Sequence, residues 1–275
     1  MNSPAKQLLS VLAPGKFYSK GRTKTHYMEW GDGQQPLLVL HKVTGGGETW
    51  LPMLSRLDSN FKIYAPDLLG HGYSSRSDHG YDLDSYTKQL IPFVQEHIGQ
   101  PVILMGHSLG ARAALALASA APELIQSLVC IEPPLCGPGK EPYPYDLQSV
   151  IDWQKGVEEE GAEYCLRTNK SYTPEDAELR ARYGILCAKE LLPQTWDQFE
   201  KKSMDVFLRD IKCSTLLIRG ENGVISQTQA DEVAQINPSI KTVEIKKSGH
   251  NPPWDNNDDF IQAVENFLET TLAQV

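Results

Sequence analysis

A serine nucleophile is the first chemistry that the sequence suggests. Residues 106–110 read Gly-His-Ser-Leu-Gly and lie between an apolar run at 101–105 and an Ala- and Leu-rich stretch at 111–121. A G-x-S-x-G sequence between a strand and a helix holds its serine on a sharp, strained turn. We predict that Ser108 is this nucleophile and that the N–H of Leu109 stabilises an oxyanion. The alternative is a serine that only caps the helix.

A serine hydroxyl needs a general base to become a useful nucleophile. The candidates are His26, His41, His71, His79, His97, His107 and His250. His250 follows the last predicted strand, in a Ser-Gly-His loop. The order nucleophile, acid, histidine along the chain is typical of folds that carry this motif. We therefore predict that His250 accepts the proton of Ser108.

Composition narrows the class of protein. The chain has 275 residues, a hydrophobic fraction of 40% and a net charge of −9. This length suits one large α/β domain or one domain with an insertion. There is no evident basic patch for nucleic acid, and no apolar run approaches the ~18 residues that cross a bilayer. We expect neither nucleic acid nor a membrane as a partner.

Cysteine usage and the first residues bear on the compartment. The five cysteines are scattered and form no C-x-x-C pair, which favours reduced thiols over disulfides or a zinc site. Residues 1–16 make a poor signal peptide. We expect a cytoplasmic protein.

Apolar runs alternate with helical patterns along most of the chain. Strands are predicted at 15–20, 25–30, 36–40, 61–65, 101–105, 124–131, 215–219 and 241–245. Helices are predicted at 50–57, 83–98, 111–121, 226–236 and 260–273. This alternation predicts an α/β fold with a mostly parallel sheet and helices on both faces. Functional sites in such sheets lie at the carboxyl ends of the strands.

The pattern changes in the middle of the chain. Helices without intervening strands are predicted at 147–160, 162–169, 174–191 and 196–208. Thr173 followed by Pro174 is a typical helix start. We predict that residues 135–210 form an inserted helical cap, and that residues 1–134 and 211–275 form the core.

The chain resembles the α/β-hydrolase superfamily over almost its whole length. The resemblance is carried by the turn at 106–110, by Ala-Pro-Asp-Leu-Leu-Gly-His-Gly-Tyr-Ser at 65–74, by Ser-Gly-His at 248–250 and by His41 after the strand Pro-Leu-Leu-Val-Leu. It implies an eight-stranded sheet, a cap over the site, and neither a cofactor nor a metal.

The same resemblance bears on the oxyanion site. It implies that the N–H of Val43 is the second donor to the oxyanion. Lys42 departs from the family pattern, because glycine usually follows the histidine at this point. We expect the Lys42 side chain to extend to solvent, with substrate binding as the alternative.

The triad acid departs from the common pattern. In most of the superfamily it lies three residues after the glycine that ends the strand predicted at 215–219, but here that position is Gly223. A second location known in the superfamily is the end of the strand after the nucleophile helix, which is Glu132. We prefer Glu132, and Glu221 stays as the alternative, because the acid must reach Nδ1 of the histidine.

A serine at the turn favours acyl transfer from an ester or thioester to water. We expect a small-molecule substrate as the partner. Glu132 also gives a resemblance to terminal thioesterases of some polyketide synthases, for which the partner would be an acyl chain bound to a carrier protein. C–C bond hydrolases of ring-fission pathways and ligand-binding receptors share the fold. They remain alternatives, because fold alone does not decide function.

Substrate contacts are harder to assign from sequence. The candidates are Lys42, Trp254, Arg182 and Arg209. An arginine on the cap could hold an anion by a bidentate contact, and Trp254 could wall the pocket four residues after His250. Aromatic residues that could line an apolar pocket are Tyr143, Tyr145, Tyr164, Tyr172, Tyr183 and Trp153.

Overall fold

The computed structural model of the protein describes residues 15–54, 56–57 and 61–272, except for the side chain of Leu272. The strands are β1 (Lys16–Lys20), β2 (Thr23–Trp30), β3 (Gln35–Leu40), β4 (Phe61–Pro66), β5 (Val102–His107), β6 (Ile125–Ile131), β7 (Ser214–Gly220) and β8 (Ile240–Ile245). They form one eight-stranded sheet in the order β1-β2-β4-β3-β5-β6-β7-β8.

The sheet is mostly parallel, as predicted. β1 and β2 pair antiparallel, and so do β2 and β4. β4, β3, β5, β6, β7 and β8 then pair in parallel, each with the next. The carboxyl ends of these six strands therefore lie along one edge, where a site is expected.

Helices connect the strands. They are α1 (Leu51–Leu54), α2 (Leu83–Pro92), α3 (Leu109–Ala120), α4 (Leu147–Glu160), α5 (Ala162–Thr168), α6 (Pro174–Leu186), α7 (Leu191–Lys201), α8 (Asp205–Asp210), α9 (Gln227–Ile236), α10 (Pro252–Asp255) and α11 (Asn257–Leu272). Short 3₁₀ turns cover Gly47–Trp50 and Pro122–Leu124, and a π-helical segment at Phe93–Ile98 continues α2. Across the described ranges, none of the helices has the length and apolar character needed to cross a membrane.

Both faces of the sheet are covered by helices. On β3, Leu38 and Leu40 belong to a core cluster that contains the apolar residues of α2 and α3. Leu37 and Val39 alternate with them and belong to a second cluster with Phe260 of α11. Successive strand residues point to opposite faces, so a strand that is apolar throughout must be covered on both.

The segment between β6 and β7 is helical, but three predicted boundaries in it are wrong. The expected helix at 174–191 ends at Leu186, because Cys187 is extended and the N–H of Ala188 donates to the carbonyl of Gly70 at 2.8 Å. The helix expected to start at residue 196 begins at 191 instead. Pro193 falls in its first turn, where a missing N–H leaves no hydrogen bond unmade.

That second predicted helix also ends early. It stops at Lys201, and Lys202 is extended, so the stretch expected to be one helix to residue 208 is divided between α7 and α8. Of the short helix expected at 50–57, the structure shows Leu51–Leu54 as helix and Arg56 and Leu57 outside it. At the end of α6 a long-range contact overrides the helical pattern of the sequence.

Arg112 of α3 ties this helical segment to the sheet. It is 1% exposed. Its guanidinium donates to the carbonyl oxygens of Pro134 at 2.7 Å, Lys202 at 2.7 Å and Gln198 at 3.3 Å, and it lies over the ring of Phe199. Burial lowers the pKa of Arg112 to about 10, so the side chain stays charged at neutral pH. Its hydrogen bonds satisfy both the cation and three buried carbonyl groups.

Replacing Arg112 with methionine is expected to lower the free energy of unfolding by about 2–4 kcal/mol, because the three carbonyl groups lose a charged donor. Urea denaturation followed by circular dichroism measures the change. The control is Arg56→Met, since Arg56 pairs with Asp258 on the surface and its loss should cost less than ~0.5 kcal/mol. Equal stability of the two variants would contradict the role assigned to Arg112.

Candidate active site

The turn between β5 and α3 presents Ser108. Its backbone is at φ 54° and ψ −116°, a region that a non-glycine residue rarely adopts. A Cβ on Gly106 would lie 2.4 Å from the carbonyl oxygen of Gly110, and one on Gly110 would lie 2.3 Å from that of Leu40. Only glycine at both positions permits this close approach. The predicted strand–turn–helix arrangement around Ser108 is therefore present.

His250 lies in the loop after β8, beside the serine. Its Nε2 is 3.0 Å from Oγ of Ser108. The loop is held by the N–H of Gly249, which donates to Asp255 at 2.9 Å, and by Nε2 of His107, which is 2.7 Å from the His250 carbonyl oxygen. Burial lowers the pKa of His107 well below its usual value, so His107 is neutral and donates through Nε2.

Glu132 follows β6 and reaches the other side of the imidazole. Its Oε2 is 3.2 Å from Nδ1 of His250. The carboxylate is fully buried and accepts hydrogen bonds from the backbone N–H groups of Gly220 at 2.8 Å and Val224 at 2.5 Å. Three donors thus offset the cost of burying the charge.

The backbone at Glu132 is also unusual. Its φ is 48°, a left-handed conformation for a non-glycine residue, and its N–H donates to the carbonyl of Ile218 at 2.8 Å. Such strain persists where surrounding contacts determine the conformation. Here the bond to β7 and the three carboxylate contacts supply those constraints.

Gly223 and Glu132 compete for the same space. A Cβ on Gly223 would lie 2.2 Å from Oε1 of Glu132. The carboxylate attached to β6 therefore fills the volume into which a side chain at position 223 would extend. The acid at position 132 thus requires a residue without a side chain at position 223.

The structure does not bring Glu221, the alternative acid, to the histidine. Glu221 is exposed, accepts from the N–H of Lys247 at 2.9 Å and pairs with Lys246 at 3.5 Å. The N–H of Lys247 is the main cause of a lowered pKa for this carboxyl. Its contacts belong to the surface of the β7–β8 region.

The two predicted oxyanion donors lie near the serine. Leu109 is the first residue of α3, so its N–H has no carbonyl partner within the helix. Val43 lines the same cavity as Ser108 and lies in a turn closed by the N–H of Gly45 and the carbonyl of Lys42, 3.0 Å apart. Preorganised amide groups of this kind can stabilise a developing negative charge.

His41 holds that turn in place. Its Nδ1 is 2.8 Å from the carbonyl oxygen of Lys42, and its Nε2 accepts from the N–H of Leu68 at 2.9 Å. Burial lowers the pKa of His41, which keeps the ring neutral with a proton on Nδ1. His41 is therefore a support for the turn and not a second base.

A cavity of about 300 Å³ opens beside Ser108 and His250. Its other lining residues are Asn251 and residues of the turn after β3 and of the segment between β6 and β7. They are Lys42, Val43, Thr44, Tyr143, Tyr145, Val150, Trp153, Thr168, Asn169, Tyr172, Arg180, Trp196 and Asn251. This volume is at the small end of ligand cavities, which span about 300–1,000 Å³.

Lys42 corrects one expectation. Its side chain does not extend to solvent: the residue is 9% exposed, and its Nζ donates to Oδ1 of Asn251 and to the hydroxyl of Tyr172 at 3.4 Å. Burial, followed by the nearby guanidinium of Arg180, lowers the pKa of Lys42 well below its usual value. Lys42 therefore lies in the cavity, as the substrate-binding alternative required.

Three other candidate substrate contacts lie outside the cavity lining. Arg182 pairs with the buried Glu48 at 2.9 Å, which joins α6 to the 3₁₀ turn after β3. Arg209 is exposed on α8. Trp254 packs against the buried Trp50 with ring centroids 6.3 Å apart. None of these three residues is among those that line the cavity beside Ser108.

Two residues of the cavity lining make direct contacts next to the triad that the sequence did not indicate. Arg180 donates to the carbonyl and, at 2.5 Å, to the hydroxyl of Thr44, and it lies 4.2 Å from the ring centroid of Trp153. The side-chain hydroxyl of Tyr143 is 3.4 Å from Nε2 of His250. The sequence pattern of α6 does not distinguish Arg180 from Arg182, because the rotation of the helix decides which of the two faces the cavity.

A second cavity of about 620 Å³ lies next to the first. It is bounded by the 136–147 loop and by α7, and it does not include Ser108 or His250. Tyr143, Tyr145 and Trp196 line both cavities. These three aromatic side chains therefore form the wall between the reactive groups and a larger, more polar groove.

Comparison with curated proteins finds hydrolases that match nearly the whole chain. The sequence is 28% identical to an N-formylmaleamate deformylase of Pseudomonas putida, over 96% of this chain and 100% of that protein. It is 23% identical to a 2-(acetamidomethylene)succinate hydrolase of Mesorhizobium japonicum, over 90% of this chain and 93% of that protein. It is also 23% identical to a 2-hydroxy-6-oxo-6-(2'-aminophenyl)hexa-2,4-dienoic acid hydrolase of Metapseudomonas resinovorans, over 92% and 90%.

Solved structures agree with the fold described above. The crystal structure of the N-formylmaleamic acid deformylase from Pseudomonas putida S16 superimposes with a TM-score of 0.81 at 28% identity, covering 91% of this chain and 100% of that one. A thioesterase domain from the curacin biosynthetic pathway gives 0.74 at 22% identity, covering 92% and 98%, which is a likeness of fold alone. The model of the alpha/beta hydrolase family matches residues 37–263, and the chain belongs to this family of hydrolases.

Proposed function

We propose that the protein is a serine hydrolase that cleaves an ester or amide bond of a small substrate through Ser108, His250 and Glu132. The observation that supports this most directly is the continuous hydrogen-bonded series from Ser108 Oγ to His250 Nε2 and from His250 Nδ1 to Glu132. Nucleophile, base and orienting acid are recognised by this geometry and not by their positions in a sequence.

The reaction would proceed by two acyl transfers. Oγ of Ser108 attacks the substrate carbonyl carbon while Nε2 of His250 takes the hydroxyl proton. The amides of Val43 and Leu109 stabilise the resulting oxyanion. The imidazolium gives its proton to the leaving group, an acyl-enzyme forms, and water then releases the acid by the same steps.

Glu132 would act through its charge and position. The two backbone donors fix the carboxylate, which then holds the Nδ1–H tautomer of His250 and stabilises the imidazolium. No step transfers a proton from His250 to the carboxylate, because that transfer would abolish the favourable charge pair between them.

The class of bond follows from the relatives and the cavity. A deformylase and a hydrolase of an acetamido compound suggest cleavage of an acyl–nitrogen bond, and the same nucleophile serves esters. A volume of about 300 Å³ suits a small molecule better than a carrier-bound polyketide chain. We therefore favour a small amide or ester over the thioester of a carrier protein.

The segment 135–210 would cover this site. It contributes Tyr143, Trp153, Tyr172, Arg180 and Trp196 to the cavity. The ion pair of Arg182 with the buried Glu48, and the hydrogen bond from Arg112 to the carbonyl of Lys202, hold it against the core. A covering segment of this kind excludes water from the reacting groups, which strengthens electrostatic interactions among them.

Ser108→Ala is expected to lower kcat by at least about 10³-fold on any substrate of the wild type, since the triad acts as a unit. The substrates are a set of methyl esters, N-formyl amides and acyl thioesters with short acyl groups, measured on one preparation. A fluorophosphonate probe should label the wild type at Ser108. Undiminished labelling of Ser108→Ala, or tight binding by the wild type without turnover, would contradict the proposal.

Glu132→Gln keeps the size of the side chain but removes its charge, and is expected to lower kcat by about 10⁴-fold. Glu221→Gln is the matched control and should stay within about 3-fold of the wild type, because Glu221 makes only surface contacts. Unchanged circular dichroism spectra verify the fold of both. A severe loss in Glu221→Gln with an active Glu132→Gln would reverse the assignment of the acid.

The acid can also be moved. Glu132→Ala vacates the space next to position 223, and adding Gly223→Asp places a carboxylate there from β7. Since Gly223 is outside the left-handed region, an aspartate can adopt its backbone conformation. We expect kcat of the double variant to exceed that of Glu132→Ala by about 10-fold or more. Gly223→Asp alone should be impaired, because its Cβ meets the Glu132 carboxylate.

A further inference from the structure

One wall of the cavity carries a group of cationic and hydroxyl donors. Nζ of Lys42 lies 3.4 Å from the hydroxyl of Tyr172. Burial raises the pKa of that hydroxyl, and the neighbouring guanidinium of Arg180 opposes the effect. All three side chains line the cavity that contains Ser108. Lys42, Tyr172 and Arg180, which we call the cation wall, therefore face the space where a substrate would lie.

The positive charge of this wall has little to balance it. No aspartate or glutamate belongs to the lining of this cavity in the part of the chain that the structure describes. The partners of Lys42 are the neutral side chains of Asn251 and Tyr172. Asp255 favours the charged form of Lys42, but its effect is smaller than those of burial and of Arg180. Burial and the neighbouring guanidinium of Arg180 therefore disfavour the ammonium form of Lys42 unless an anion joins the two groups.

The two cations are also held in place. Arg180 donates to the carbonyl and hydroxyl of Thr44, and its guanidinium stacks over Trp153. Lys42 is fixed by Asn251, next to His250, and its Nζ lies 5.0 Å from the ring centroid of Trp254. Donors that are positioned before a ligand arrives lose little side-chain freedom when it binds. The wall is therefore suited to recognition and is not an accidental meeting of surface charges.

We propose that the cation wall binds a carboxylate of the substrate, so that the enzyme selects small acyl compounds that carry a free carboxyl group at the end away from the scissile bond. A carboxylate matches the planar fork of a guanidinium and accepts a further bond from an ammonium group. The role of this carboxylate in turnover rests on the proposed function, whereas its binding does not.

The size of the cavity limits the distance between the two groups. The wall and Ser108 share about 300 Å³, which leaves space for a short chain between the carboxylate and the reacting carbonyl. Four-carbon diacid derivatives, such as half-esters and half-amides of succinate, have this form. An uncharged chain of equal length would fill the same volume but leave both cations without an anion.

Two methyl esters of equal length test the selection. Monomethyl succinate carries the carboxylate, and methyl pentanoate replaces it with an ethyl group. We expect kcat/KM of the wild type to favour monomethyl succinate, and Lys42→Met to reduce that preference by about 10- to 100-fold, the value of one charged hydrogen bond. The quantity compared is the ratio of the two kcat/KM values within each variant, so a general loss of activity in Lys42→Met does not affect the comparison.

Lys189→Met is the control, because Lys189 is exposed and pairs with Glu158 at 2.8 Å, away from the cavity. It removes the same charge from the molecule and should leave the preference unchanged. An equal loss in the two variants would mean that net charge and not the wall attracts the substrate. Equal kcat/KM of the wild type for the two esters would overturn the proposal directly.

A binding measurement separates this proposal from the mechanism. Calorimetric titration of Ser108→Ala with succinate should show binding that weakens by about 10-fold or more when Lys42→Met is added. Unaltered succinate affinity in the double variant would overturn the cation wall. Undiminished hydrolysis by Ser108→Ala would instead reject the proposed nucleophile and leave the binding result to stand by itself.

Discussion

The arrangement of this site depends on the hydrogen bonds of one buried carboxylate. Glu132 leaves the end of β6, accepts amide donors from the loop after β7 and faces a histidine from the loop after β8. A charge with no exposure to water is tolerated only when donors surround it, so any change that separates these three loops leaves a costly unpaired group. The carboxylate thus holds together the ends of three neighbouring strands as well as the histidine.

The helical segment is attached to the core by the same kind of interaction. The buried Glu48 accepts from Arg182 and from the hydroxyl of Tyr183, and Arg112 reaches the carbonyl groups at both ends of the segment from within α3. Apolar packing alone would allow helices to slide, whereas fully satisfied polar contacts favour one position. The lining of the cavity depends on that position, because most of its aromatic residues belong to this segment.

The fold and the central residues of the site could be predicted because they depend on local patterns. The apolar runs specified the strands, and Gly106 with Gly110 specified the turn at Ser108. His250 could be inferred because it follows a strand whose carboxyl end meets those of the other strands at one edge. Glu132 was located by the resemblance to the α/β-hydrolase superfamily. These inferences need the order of elements but no knowledge of how side chains pack.

The cavity lining could not be predicted to the same degree. Whether Arg180 or Arg182 faces the site depends on the rotation of α6, which the core fixes and the sequence pattern does not. The bond from Ala188 to Gly70 that ends α6 joins residues far apart in the chain. Lys42 was expected at the surface because lysine usually is, and the neighbours that bury it come from distant segments. Contacts of this kind become visible only once the helices are in place.

The hydrogen bond from His107 to the carbonyl of His250 would also affect the energetics of the first step of the proposed reaction. His107 immediately precedes Ser108, and its side chain bonds the backbone of the loop that carries His250. This bond therefore links the two loops that hold Ser108 and His250, which are 142 residues apart in the chain. Little reorganisation energy remains to be supplied when the proton moves, because the donor and acceptor do not have to find each other from independently fluctuating loops.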